Sequence, residues 1–118
     1  YDNHRDPGQG TVRRLWDNNV DGISTFLNRM IPDESINLTF VIMGDFARNE
    51  RSSHGNGCSY NIISRKVKNA TTGRLTARGD LMSNNNLSMD QFWEFLEHLG
   101  GAGNGNYSGP HRSLLRNG

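Results

Sequence analysis

The run Ile36-Asn37-Leu38-Thr39-Phe40-Val41-Ile42-Met43 is the feature around which the rest of the chain has to be built. It is too short for a helical apolar face, rich in branched and aromatic side chains, and ended by Gly44-Asp45. These features predict a β-strand over residues 36–43. Its unbroken second half predicts a central position, buried on both faces. Little material is at hand to bury it. Apolar residues make up 33% of the 118 and aromatics 8%, while glycine occurs 14 times. That supply suits one domain with one modest core and long polar loops.

Two segments have helical period. Val12, Leu15, Trp16, Val20, Ile23, Phe26, Leu27 and Met30 recur at steps of three and four, an apolar stripe that predicts a helix over 12–31. Thr11 offers a cap and Pro32 a stop, while Gly22 and the run Asp17-Asn-Asn-Val-Asp-Gly22 predict a break in the middle. The second helix follows Ser88, with Gln91 three residues on as in a capping box. Phe92, Phe95, Leu96 and Leu99 form its inner face, and Gly100-Gly101 end it. Between the helices, residues 58–67 and 73–82 read as two further strands turning around 69–73.

The expected fold is therefore α+β: a small antiparallel three-stranded sheet packed on one face by an N-terminal and a C-terminal helix, in the order α-β-β-β-α. Trp16, Phe26, Val41, Ile63 and Phe95 are its expected core. Residues 1–10 read as an irregular arm, 11–100 as the folded domain, and 101–118 as a glycine-rich tail, flexible by itself.

The net charge of +1 selects no partner, but its distribution is uneven. Residues 47–78 hold seven cations against one acid, and residues 80–99 hold four acids and no Lys or Arg. Arg65, Lys66, Lys68, Arg74 and Arg78 would line the second hairpin. There they either neutralise phosphates or keep an edge strand soluble. Tyr60 is its one ring for base stacking, few for a single-strand binder. Arg78-Gly79-Asp80 is the tripeptide that integrin ligands display, and Gly79 permits the exposed turn such display needs.

Asp17, Asn19 and Asp21 space oxygen ligands as the opening of an EF-hand calcium loop does, and Leu87–Phe92 has the rhythm of such a loop entering its second helix. The bidentate Glu is missing from both, with Asn28 and Gln91 standing in its place. His54 lies near Asp45 and Glu50 in a polar loop, the raw material of a small hydrolytic or metal site. No HxxxH, CxxC or GxSxG spacing accompanies them, and no cofactor motif occurs.

Val41-Ile-Met-Gly-Asp45-Phe-Ala47-Arg-Asn49 resembles the strand-ending GDFN segment of endonuclease/exonuclease/phosphatase enzymes. The resemblance implies that Asp45 sits at a metal-assisted phosphodiester site, and Ala47 departs from the pattern where the family has Asn.

Cys58 is the single cysteine, so no disulfide forms within the chain, an argument against a small secreted domain. Four N-x-[ST] sequons, at Asn37, Asn69, Asn86 and Asn106, and a chain starting at Tyr1 point instead to a processed protein, secreted or on a virion surface. No run approaches the length of a membrane span.

These readings favour a non-enzymatic interaction or structural subunit. It would dock on a protein partner or on further copies of itself through its arm, tail and polar loops. A nucleic-acid-binding protein using residues 65–78 is the alternative, and a small metal-dependent hydrolase using Asp45 and His54 the third reading.

Overall fold

A computed structural model describes residues 10–44, 58–73, 76, 80–82, 87–102 and 107–116. In chain order these hold α1 (Gly10–Met30), β1 (Thr39–Met43), β2 (Tyr60–Ser64), α2 (Met89–Gly100) and a 3-10 turn at Arg112–Leu114. The α+β class stands, but among the described residues the sheet has two strands, not three. β1 and β2 pair antiparallel, with Phe40 opposite Ile63 and Met43 opposite Tyr60.

Among the described residues no third strand occurs at 73–82. Past Ser64 the chain turns, and Val67 bridges to Leu115 of the C-terminal segment. The amide of Lys68 donates to Leu114 O at 2.7 Å and that of Arg116 to Lys66 O at 2.9 Å. Residues 76 and 80 close a tight turn, the Asp80 amide donating to Thr76 Oγ1 and the Thr76 amide to Asp80 O. β1 is consequently not central. Among the described residues it pairs on one side only, its residues are half-buried at most, and Met43 is exposed.

α2 forms as its sequence predicts. Ser88 Oγ accepts the Gln91 amide, and Gln91 Oε1 accepts the Ser88 amide, so two amides at the helix start are satisfied reciprocally. At the other end Gly101 takes φ +90°, and the amides of Gly101 and Ala102 return to His98 O and Glu97 O. A side chain at that φ would be strained, which is why glycine stands there. The buried face holds Phe92, Phe95 and Leu99.

The core lies between α2 and the C-terminal segment. Phe95, Leu99, Tyr107 and Leu115 form one buried cluster, with Ile62, Val67, Leu96 and Leu114 packed against it. Residues 107–116 are thus no free tail. The Tyr107 ring meets Phe95 edge-on at 5.5 Å, and its hydroxyl donates to Pro110 O at 2.8 Å.

α1 is one unbroken helix of 21 residues, with none of them buried. The expected break does not occur, since a lone glycine costs a helix only about 1 kcal/mol. Trp16 and Phe26, expected in the core, are exposed at 44% and 43%. Phe26 reaches Phe40 at 6.3 Å between ring centroids. Tyr60 and Ile62, on the α2 side, alternate with the position opposite Phe40, so α1 touches the other face of the sheet. The two helices therefore lie on opposite faces of the strand pair, where the sequence reading put both on one face.

Candidate interaction surfaces

Fractional exposure separates two apolar surfaces from the core. On α1, Leu15, Trp16 and Phe26 stand 40–44% exposed. Helical spacing places them along one stripe, with Arg13 and Arg29 at its edges. On α2, Met89 and Trp93 are four residues apart, so they lie one above the other, 50% and 54% exposed. Asp90, Glu94 and Glu97 run beside them, all exposed. Scattered surface Leu or Met is ordinary, but paired large side chains on one helix face form a patch.

The α2 patch rests on stacked aromatic rings. Phe92 stacks on Tyr60 with centroids 4.1 Å apart and meets Trp93 at 5.9 Å. Met43 faces Tyr60 across the sheet and extends the apolar surface beyond the helix. Burial, followed by the nearby Cys58 thiol, pushes the Tyr60 hydroxyl above its ordinary pKa. The Cys58 thiol, half-buried at the mouth of the hairpin, donates to Gly44 O at 2.6 Å.

The basic stretch is used differently from either expectation. Arg65 Nη2 donates to Ile36 O at 2.8 Å and Lys68 Nζ to Ser113 O at 2.9 Å. Lys66 Nζ donates to Leu99 O at 2.9 Å, where Asn37 Nδ2 also donates at 3.0 Å. Leu99 O belongs to the last turn of α2, whose carbonyls lack intrahelical donors and carry partial negative charge. These three cations therefore tie separated strands, helix end and C-terminal segment together through backbone carbonyls. None of them pairs with the α2 carboxylates. Arg74 and Arg78 lie outside the described residues, as do Gly79, Asp45, Ala47 and His54.

No calcium loop opens at Asp17, Asn19 and Asp21. All three sit inside α1, where Asn19 Nδ2 donates to Leu15 O at 2.6 Å, and a helix cannot wrap alternate side chains around one ion. Ser88 and Gln91 cap α2 instead of entering a loop. Among the described residues no three His, Cys, Asp or Glu side chains gather to hold a metal, and no helix is long and apolar enough to cross a membrane.

Sequence reasoning missed Tyr107, Leu115 and the Leu99 cap. The signal for the first two was present: Tyr107 and Leu114-Leu115 are isolated apolar residues in a stretch that otherwise offers glycine, polar side chains and charge. Compared with protein-family models, with curated proteins and with solved structures, the chain shows no match.

Proposed function

We propose that this chain is a non-enzymatic interaction or structural subunit that docks on protein through the exposed faces of α1 and α2. The observation that carries the reading is the pair of helix faces with half-exposed tryptophans, Leu15-Trp16 and Met89-Trp93. An isolated helix of about 20 residues is marginal in water and gains its stability from a covered apolar face. α1 contains Gly22 and several weak helix formers, buries no residue of its own, and is still continuous. A partner covering Leu15 and Trp16 would supply about 1.5–3 kcal/mol per side chain fully removed from water. The surfaces differ from the arm, tail and loops favoured by sequence, since residues 107–116 are committed to the chain's own core.

Nucleic-acid binding draws less support, because Arg65, Lys66 and Lys68 each already serve a backbone carbonyl. A photo-activatable residue at position 16 or 93 should give covalent adducts with protein in the chain's native setting. The same probe at Asn28, on the opposite side of α1, should not. Adducts with nucleic acid would overturn the reading. So would hydrolysis of a phosphodiester or ester by the purified chain that is lost on Asp45→Asn or His54→Ala.

A further inference from the structure

One chain holds two apolar helix faces whose charges are complementary. α2 carries Asp90, Glu94 and Glu97 and no Lys or Arg, and these carboxylates run alongside Met89 and Trp93. α1 has Arg13 and Arg29 at the edges of its exposed stripe, while its acids, Asp17 and Asp21, fall away from Leu15 and Phe26. Within the chain the two faces are not joined. Among the described residues the most closely packed element pairs are β1 with β2 and α2 with β1, and α1 reaches the opposite face of the sheet through Phe26 and Phe40.

Resting on the interaction reading above, we infer that the partner is a second copy of this chain, with α1 of each protomer seated on α2 of the other. A twofold axis makes this arrangement close on itself: the contact made by α1 on its partner's α2 is repeated by the partner, so both faces of both chains are covered at once. Trp16 and Met89-Trp93 form the centre, where aromatic and methionine side chains fill irregular gaps. The Arg13 guanidinium, less than one turn from Trp16, meets the row of carboxylates at the rim, fixing which helix accepts which. Two separate helix contacts bury more together than either would alone, which brings the whole nearer the roughly 1,000 Å² that a specific interface needs.

The test is a charge exchange, read by analytical ultracentrifugation of the full chain and by tryptophan emission. Trp16 and Trp93 are the only two tryptophans, so emission reports on the contact itself. At about 100 µM, where a micromolar Kd fills the dimer, the unmodified chain should sediment as a dimer, and its emission should shift to the blue on concentration. Arg13→Glu with Arg29→Glu should give a monomer, because acid then faces acid. Asp90→Lys with Glu94→Lys should give a monomer for the opposite reason. Mixed one to one, the two variants should recover the dimer, since each altered helix then meets its complement. Circular dichroism verifies that each variant is folded. Should a charge variant unfold, Trp16→Ser and Trp93→Ser, at exposed positions, must each abolish the dimer.

A monomeric unmodified chain at that concentration overturns the proposal, as does a dimer indifferent to both charge reversals or a mixture that stays monomeric. If the chain is monomeric while probes at 16 and 93 still capture another protein, the partner is a different chain. The self-association is then wrong and the interaction reading stands.

Discussion

α1 and α2 both carry an apolar stripe at helical spacing, yet Phe92, Phe95 and Leu99 of α2 are fully buried while α1 buries nothing. The difference lies in what each helix meets. α2 has a strand pair on one side and the segment 107–116 on the other, and its two ends are satisfied by caps. α1 meets the back of a two-stranded sheet through Phe26 and Phe40, and its N-terminal half carries Leu15 and Trp16 out into solvent. Periodicity therefore specifies a helix and its apolar side. Whether that side is buried depends on the surface the remaining chain can offer. Among the described residues the remaining chain covers α2 well and leaves α1 without a buried side chain.

The comparison breaks most easily at its centre. Phe95→Ala should cost about 3–5 kcal/mol in urea denaturation, the usual loss on deleting a buried aromatic. Trp16→Ala, measured on the monomer, should cost no more than about 0.5 kcal/mol, as exposed substitutions do. Equal costs would mean that α1 is as much a part of the core as α2.

A finer test addresses the segment that covers α2. A Cβ on Gly109 would fall 2.5–2.9 Å from the hydroxyl oxygen and two ring carbons of Tyr107, a side chain that is buried and held by Pro110. Gly109→Ala should therefore lower stability by about 1–3 kcal/mol, the cost of overpacking. Gly100→Ala, with nothing within 4 Å, should be tolerated. If both are neutral, Tyr107 is not seated on α2 as described.

The smallest effect runs the other way. Gly22 lies mid-helix with no neighbour within 4 Å, so Gly22→Ala should stabilise α1 by about 0.5–1 kcal/mol and raise helical circular dichroism. A loss of stability would show that another surface approaches α1 at Gly22.

Much of the local structure was legible in the sequence. The strand core at 39–43, both helices, the Ser88–Gln91 box, the glycine stop and the burial of Phe95 follow from side-chain chemistry within a few residues. What could not be read was long-range pairing. The apolar alternation at 58–67 fits any strand partner, and nothing local says that Val67 pairs with Leu115 rather than with 73–82. Glycines in 100–109 read as flexibility, while Tyr107 has the bulk and hydroxyl to anchor such a stretch by itself. The cations from 65 to 68 looked like a surface feature, because a carbonyl left over at a helix end leaves no mark in composition.

The bond from Arg116 to Val67 O spans 49 residues, and that span has a kinetic meaning. The β1–β2 pairing and α2 are assembled from nearer neighbours, whereas bringing 116 to 67 closes a loop whose entropic cost is roughly 3–4 kcal/mol. Contacts that cost this much to close are expected to form late on the folding path and to be weak at the barrier. Arg116→Ala is therefore expected to speed unfolding in stopped-flow measurements and to leave the folding rate nearly unchanged.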